Sequence, residues 1–201
     1  ELLTHRAGLP AHFWLFENGV SKSREPDEFA RLLISKTALK EGNQYCYSDI
    51  GFILLAAIFA AQSSVSFADA ASKLCHSFDG GYFFDVPATE TVAATMFSRY
   101  RKRQLWGEVE DDNAAFLGPQ YSGHAGLFAN SNWLVKQLAF WQQEFDGGDL
   151  KRFSDNNRIF GFDKSDPGGA VSEIFDLRYT VGHHGFSGTS FWLELSTGNY
   201  L

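Results

Sequence analysis

The feature that most constrains this chain is a nearly unbroken apolar run from Ile50 to Ala61. It follows directly on Tyr47-Ser48-Asp49, and a Ser or Asp just before such a run is typical of a helix start. A helix that is apolar on all sides has to be buried on most of them. The run is shorter than the roughly 20 residues that cross a bilayer. We therefore expect a buried helix and no membrane span.

Composition fits a single globular domain. The chain has 201 residues, of which 44% are hydrophobic, and the 20 Phe and five Trp supply enough aromatic area for a core or an apolar pocket. The net charge of −7 argues against a nucleic-acid surface, which would need a basic stripe. Two cysteines are too few for a disulfide scaffold, so separate thiols are expected.

Helices are predicted through the first two thirds of the chain. They run from Pro26 to about Lys40, from Ser48 or Asp49 to Ala61, from Phe67 (capped by Ser66) to about Ser77, around Val92–Tyr100, and from a Ser131 cap to about Phe145. Glycines at Gly42 and Gly147-Gly148 are expected to end the first and the last. The basic cluster at 99–103 is interpreted as a solvated helix face, and the acids at 108–112 as a solvated loop with one acid capping a turn.

Short β-prone runs separated by glycines follow in the last third. Strands are predicted at Tyr179–Val181, Ser190–Leu195 and Tyr200-Leu201, with a hairpin formed by residues 189–192 and 196–199. The fold class is therefore α+β, as one domain over 1–201 with a mostly helical part to about 150 and antiparallel strands after it. Both ends of the chain look cut, so we expect a piece of a longer protein.

Several kinds of site are not supported by the residue spacing. The sequence has no Gly-x-Ser-x-Gly elbow, no phosphate-binding loop and no His-Glu-x-x-His pair. The stretch from Asp163 has Gly168 at position six of a calcium loop but Ile174 instead of glutamate at position twelve. No cofactor or metal is predicted. Three polar stretches beside glycines or the apolar helix remain: 47–49, 122–126 and 182–190. The alternative for each is structural, because Ser48 or Asp49 also suits a helix cap and the glycines suit turns.

Five segments, in order, resemble one family. They are LLTHRAGLP from Leu2, YSD from Tyr47, GEVEDDNA from Gly107, GHAGLF from Gly123 and GHHGFSGTSFW from Gly182. Together they resemble the serine β-lactamase and penicillin-binding-protein-like family, in its class C β-lactamase and esterase branch. This resemblance implies an antiparallel sheet flanked by helices, a helical subdomain, and a β-lactamase/transpeptidase-like site at their junction, here truncated at both ends.

The resemblance also implies catalytic roles. Tyr47 would be the acid or base that handles the nucleophile's proton, with its pKa lowered by a neighbouring cation. Asp49 would bind substrate or orient a lysine. His183 would stand in for the family's lysine, and the backbone N–H of Phe186 would form half of an oxyanion hole.

Substrate contacts are implied for residues around these groups. They are His184, Gly185, Ser187, Gly123 and His124. His184 stands where the family has threonine, and Glu110 stands where it has histidine. No serine in the sequence begins Ser-x-x-Lys, so the nucleophile is expected upstream of Glu1 and this chain alone is expected to be inactive.

The leading hypothesis is a serine hydrolase that acts through an acyl-enzyme on an ester, a β-lactam or a D-Ala-D-Ala-type peptide. A non-catalytic module that binds cell-wall peptide is the alternative, and a structural domain with a chance set of motifs is the third. The partner would be a small molecule or peptide, with no nucleic acid. The resemblance implies the bacterial periplasm or cell envelope, with the cytoplasm left open, and the sequence gives no oligomeric state.

Overall fold

The computed structural model describes residues 1–21, 25–37, 39–40, 43–98, 101–145, 158–169 and 171–201. Within these ranges the α-helices are α1 (Pro26–Lys36), α2 (Asp49–Gln62), α3 (Phe67–Cys75), α4 (Asp112–Leu117) and α5 (Ser131–Glu144). The strands are β1 (Gly81–Phe83), β2 (Ala94–Ser98), β3 (Arg103–Trp106), β4 (Leu127–Ala129), β5 (Arg158–Ile159), β6 (Phe162–Lys164), β7 (Thr180–His184) and β8 (Ser190–Glu194). Short 3-10 helices occupy Leu2–Thr4 and Leu177–Tyr179.

One core lies among the helices of the N-terminal part. Phe29 of α1 stacks flat on Tyr121, with ring centroids 4.2 Å apart, and both side chains are fully buried. The amide of Asn113 accepts from the backbone N–H of Leu15 and donates to the carbonyl of Phe13, each at 3.0 Å. This amide therefore pins the N-terminal loop to α4, across the apolar core that α1 and α2 build.

Helix α2 is buried over its first two turns and more exposed towards its end. Ile50, Ile53, Leu54 and Ala57 belong to the helical core, whereas Ile58 and Phe59 are 38% and 41% exposed. The prediction of burial on most sides is therefore right only for the part of the helix nearest Asp49. Among the described residues no single helix is long and apolar enough to cross a membrane; α2 and α3 reach the length together but are bent by 104°.

The second core lies between α5 and a four-stranded antiparallel sheet in the order β5-β6-β7-β8. Leu138 of α5 packs with Ile159, Val181 and Leu193 from the sheet. Around them a group of aromatic rings fills the interface: Trp141, Phe145, Phe160, Phe162 and Phe191. The phenylalanine-rich composition thus serves the packing of this helix on this sheet.

The C-terminal strands were predicted in the right place, with a different partner. The tight hairpin is formed by β7 and β8, paired from Thr180↔Glu194 to His184↔Ser190. Residues after β8 turn back as predicted, but only Tyr200 forms a bridge there, to Leu193. Strand β8 thus pairs along its length with the strand that precedes it in the chain.

The helix predicted around Val92–Tyr100 is wrong. Residues Ala94–Ser98 form β2, which pairs with β3 in a two-stranded antiparallel sheet. Residues 99 and 100 of the basic cluster lie outside the described ranges, while Arg101 and Lys102 form a turn before β3, with Lys102 at φ 56°. Arg101 is not solvated: it donates to the carbonyls of Val109 and Glu110 and pairs with Asp112 at 3.0 Å.

Helix ends were predicted less well than helix centres. Helix α1 ends at Lys36 and α3 at Cys75, in both cases before the predicted end. Asn130 rather than Ser131 caps α5, accepting from the N–H of Trp133 at 2.9 Å. Ser66 caps α3 as predicted. Gly42 and Gly147-Gly148 lie outside the described residues.

Mixed helices and antiparallel strands confirm the α+β class in its coarse form. Four of the strands, β1 to β4, lie in the part predicted to be mostly helical. The predicted extent of a single domain over 1–201 remains a prediction. The cysteines are free thiols, as expected: Cys75 is buried and Cys46 partly so.

Two isoleucines of α2 give a matched test of the helical core. Replacing the fully buried Ile53 by Ala should lower the free energy of unfolding by about 2–5 kcal/mol, because it removes apolar contacts and leaves a cavity. Replacing Ile58, 38% exposed on the same helix, should cost about 1 kcal/mol or less. Urea unfolding followed by circular dichroism measures both, and equal losses would contradict this placement of α2.

Candidate active site

The start of α2 is held by the N-terminal segment. The backbone N–H of Ser48 donates to Nδ1 of the buried His5 at 3.0 Å, and the Ser48 hydroxyl donates to the carbonyl of Pro10 at 2.6 Å. Ser48 therefore occupies the N-cap position without capping the helix through its side chain, contrary to the expectation. Because the carbonyl of His5 also accepts from the N–H of Cys46 at 2.9 Å, the two segments are joined on both sides of Tyr47.

Tyr47 lies beside two histidine rings and one cation. Its ring centroid is 4.4 Å from that of His5 and 6.5 Å from that of His183 on β7. The guanidinium carbon of Arg158, from β5, lies 5.1 Å from the centroid of the same ring. The side chain is still 44% exposed. The ring is thus fixed on its faces while part of it remains open to solvent.

The pKa of the Tyr47 phenol lies above its ordinary value. Burial is the main cause, and the neighbouring Asp49 carboxylate raises it further. Arg158 acts in the opposite direction, but it does not outweigh them. The expectation of a lowered pKa is therefore wrong, because burial of the phenol and the Asp49 carboxylate outweigh the neighbouring cation.

Asp49 is the first residue of α2, and titratable groups from three other segments affect the pKa of its carboxyl. Burial raises the pKa of its carboxyl, and Asp111 raises it further. His124, His12 and His183 act in the opposite direction. The 122–126 stretch and strand β7 therefore both lie close enough to the helix start to affect the pKa of the Asp49 carboxyl.

His124 forms a buried pair with Asp111. Its Nε2 lies 2.9 Å from Oδ1 of Asp111, and its side chain is only 4% exposed. Asp111 also caps α4, accepting from the N–H of Ala114 at 2.7 Å. Burial raises the pKa of Asp111, but the hydrogen bonds from His124 and from the helix start outweigh it, so the pKa lies below its ordinary value. Asp111 was predicted to belong to a solvated acidic loop in which one acid acts as a cap. The capping role is confirmed, whereas the pairing with His124 was not expected.

The adjacent histidines of β7 point to opposite faces, as their positions on a strand require. His183 lies near Tyr47, and its Nδ1 donates to the carbonyl of His184 at 2.8 Å. Burial lowers the pKa of His183, with Arg158 acting in the same direction against Asp163. The ring of His184 packs edge-on against Trp192, with centroids 5.3 Å apart. The structure therefore puts His183, and not His184, beside Tyr47.

The turn between β7 and β8 is open to solvent. Gly185 donates to the carbonyl of Thr189 at 2.7 Å and accepts from Gly188 at 3.0 Å, which closes the turn. Phe186 at its tip is 90% exposed, and Ser187 is exposed as well. The N–H of Phe186 donates to no group within the described residues, so it is free to meet a ligand.

Gly123 fits a close approach between backbones. A Cβ at this position would lie 2.2 Å from the carbonyl oxygen of Phe52 on α2. The glycine thus lets the 122–126 stretch lie directly on α2, which brings His124 to the helix. Its substrate contact remains a prediction, with a packing role now established beside it.

Sequence reasoning did not assign a role to three residues of this site: His5, Arg158 and Asp163. Arg158 and Asp163 face each other across β5 and β6, with Nη2 2.8 Å from Oδ1. His5 lay inside a quoted motif, so the motif itself was the signal. For Arg158 no local pattern pointed to the site, because its contacts are made through the folded sheet. No group of three metal-ligating side chains is found among the described residues.

Comparisons with known proteins find similarity to two curated proteins. It is 29% identical to an N-acetylmuramyl-L-alanine amidase of Bacillus subtilis (strain 168), over 66% of this chain and 35% of that protein. It is 24% identical to a putative D-alanyl-D-alanine carboxypeptidase of Salmonella typhi, over 83% of this chain and 43% of that protein. The chain thus spans less than half the length of these curated relatives. No protein-family model matches it.

The fold is similar to that of a solved structure, FmtA from Staphylococcus aureus. The TM-score is 0.55 at 16% identity, over 96% of this chain and 51% of FmtA. The assignment to the class C β-lactamase and esterase branch is wrong, because the relatives found are named as an amidase and a carboxypeptidase.

The Asp111–His124 pair should make stability depend on pH. A carboxyl whose pKa is lowered by folding stabilises the fold above its unfolded pKa, and this contribution is lost as pH falls through the folded value. Replacing Asp111 by Asn, which also caps helices, should lower the free energy of unfolding at pH 7 by about 1.5–3 kcal/mol. The difference from the unmodified chain should shrink below about pH 4.

Urea unfolding at pH 7, 5, 4 and 3 measures that difference. Replacing Asp69, an exposed acid beside the Ser66 cap of α3, by Asn is the control and should give a much smaller effect at every pH. A loss for Asp111→Asn that stays constant down to pH 3 would contradict the role given to its charge.

Proposed function

We propose that this chain is part of a hydrolase that cleaves an amide bond of cell-wall peptide by acyl transfer through a serine. The observation that carries the proposal is the convergence of Tyr47 and Asp49 from the start of α2 with His183 from β7. Helix, sheet and the His124 stretch bring these groups together although they are far apart in sequence. A chance set of motifs would have no reason to converge in this way.

The names of the relatives support the substrate class. One is named for the bond between N-acetylmuramic acid and L-alanine, the other for the bond between two D-alanines. Both are amide bonds of the same cell-wall peptide. The similarity to the FmtA fold supports the finer proposal of a transpeptidase-like arrangement, with the site between the helical part and the sheet.

In the proposed mechanism a serine from outside these 201 residues attacks the amide carbonyl and water later releases the acyl group. Tyr47 exchanges the proton that leaves the serine or enters the departing amine. The backbone N–H of Phe186 stabilises the oxyanion from the β7–β8 turn. Burial favours the neutral form of His183, and its Nδ1–H is donated to the carbonyl of His184, so Nε2 would accept a hydrogen bond beside Tyr47 rather than supply a fixed charge.

Substrate is expected to lie along the exposed turn after β7. Gly185 and Ser187 would contact the peptide backbone there, and Asp49 would bind a polar group of the substrate from the start of α2. His184 remains a candidate contact only near the turn, because its ring is turned towards Trp192. Gly123 and His124 would affect substrate binding indirectly, through α2, against which they pack.

A second function is favoured by one observation, the raised pKa of Tyr47. A phenol of this kind is a poor base at neutral pH, which suits a module that binds cell-wall peptide without cleaving it. The two functions differ in turnover. A binder would retain the peptide unchanged, whereas the hydrolase would release alanine or a shortened peptide.

The chain alone should not be acylated. Incubating the 201 residues with a fluorescent penicillin should give no covalently labelled band, because the sequence contains no Ser-x-x-Lys. The same chain expressed within its complete reading frame should be labelled and should release D-alanine from a D-Ala-D-Ala peptide. Labelling of the 201 residues alone would contradict the external serine, and intact peptide with measurable binding in the complete protein would favour the binder.

Tyr47→Phe in the complete protein should reduce kcat by about 10²–10⁴-fold, the usual contribution of a general acid or base. KM should change little, since the ring remains in place. Tyr179→Phe is the control, because Tyr179 is similarly exposed and packs against Arg178 instead. Initial rates of D-alanine release measure both variants, and a Tyr47→Phe enzyme as fast as the control would remove Tyr47 from the mechanism.

A further inference from the structure

Arg158 is a buried cation with several partners, and all of those described lie at the candidate site. Its side chain is 3% exposed. Nη1 donates to the carbonyl of Gly161 at 2.8 Å, while Nη2 donates to the Tyr45 hydroxyl at 3.2 Å and pairs with Asp163 at 2.8 Å. Its guanidinium carbon lies 5.1 Å from the centroid of the Tyr47 ring. One side chain of the sheet therefore contacts both tyrosines that precede α2.

The geometry of this cation decides its effect on Tyr47. A guanidinium over the face of an aromatic ring holds the ring through a cation–π contact. Lowering a phenol pKa needs an uncompensated positive charge close to the ionising group. Here the Asp163 carboxylate is bound directly to the guanidinium, so the pair as a whole is nearly neutral towards its surroundings. The cation is thus suited to orient the ring rather than to ionise it.

We propose that Arg158 is a positioning residue for Tyr47 and that Asp163, bound to it, offsets part of its charge, so that Arg158 holds the ring while Tyr47 rests as an uncharged phenol able to donate a proton. The proposed function gives this arrangement its meaning, since a resting phenol enters the acyl transfer as an acid. The arrangement itself is a statement about ionisation and orientation, which can be measured without any turnover.

Other charged and titratable groups around Tyr47 agree with this reading. Asp49 at the start of α2 is an anion nearby and opposes loss of the phenol proton. His5 from the N-terminal segment and His183 from β7 contact the ring, and the pKa of His183 is lowered, which favours its neutral form. Tyr45 adds a further small effect in the same direction as Asp49. Burial of the phenol, the largest influence on its pKa, acts in the same direction as these anions and against Arg158.

The test is the ionisation of Tyr47 followed by NMR of tyrosine labelled with ¹³C at Cζ, with Tyr47→Phe assigning the signal. In the unmodified chain the Tyr47 signal should remain that of a phenol at pH 10, where an ordinary tyrosine is half ionised. Asp163→Asn should lower its midpoint by about one pH unit or more, because Arg158 then acts uncompensated. Arg158→Met should leave Tyr47 in its phenol form at pH 10. It should loosen the packing of the Tyr47 ring on His5, which would be seen as lost ring-to-ring NOEs.

A matched control lies on the surface of the same chain. Arg178 pairs with Asp176 at 2.6 Å and its guanidinium carbon lies 5.4 Å from the Tyr179 ring, in the same chemical arrangement but exposed. Asp176→Asn should therefore leave the Tyr47 midpoint unchanged. Arg158→Lys keeps the charge but not the planar fork, so the Tyr47 midpoint should stay close to that of the unmodified chain while part of the ring-to-ring NOEs with His5 is lost.

Two results would overturn the proposal: a Tyr47 midpoint at or below pH 9 in the unmodified chain, or a midpoint that Asp163→Asn does not move. If Arg158→Met does not fold, the Asp163→Asn titration alone decides. Either result concerns ionisation only and leaves the hydrolase proposal to its own test. Conversely, if the complete protein shows no turnover, the measured ionisation of Tyr47 would still test the proposal for Arg158 and Asp163 independently.

Discussion

The hydrogen bond from the backbone N–H of Ser48 to Nδ1 of His5 is the constraint on which the site depends. Its 3.0 Å length and buried position fix where α2 begins relative to the N-terminal segment. Tyr47 precedes that point and Asp49 follows it, so their side chains leave the chain in defined directions. His5 has a left-handed backbone, with φ 54°, which lets its ring and its carbonyl meet the same short stretch of chain. A helix start, usually satisfied by its own cap, is here held by a distant segment.

Two acids of the candidate site are held by hydrogen-bonded partners. Asp163 is bound to Arg158, and Asp111 is bound to His124. A buried charge is costly unless it is paired and hydrogen-bonded, so such contacts are what a partly desolvated site can hold.

Local patterns predicted those parts of the structure that local forces determine. The apolar run predicted α2, and Ser66 caps α3 as predicted. The alternation of side chains along a strand correctly placed His183 and His184 on opposite faces of β7. The helix predicted around 92–100 failed because pairing with β3 overrides a weak local preference. The lowered pKa expected for Tyr47 failed for another reason: it depends on how deeply the folded chain buries the phenol, which no local pattern shows. The family branch failed because the relatives found are named as an amidase and a carboxypeptidase.

Sequence separation has a consequence for how this site forms during folding. The hydrogen bond from Ser48 to His5 joins residues 43 positions apart, and the one from Arg158 to Tyr45 joins residues 113 positions apart. Contacts between residues so far apart form slowly, because a long loop has to close before they contribute any stability. On a ribosome the N-terminal segment and α2 emerge well before β5, and the first contact can be made while the second has no partner yet. Tyr47 thus acquires its final neighbours only when the C-terminal sheet docks, so the reactive arrangement is completed late in folding.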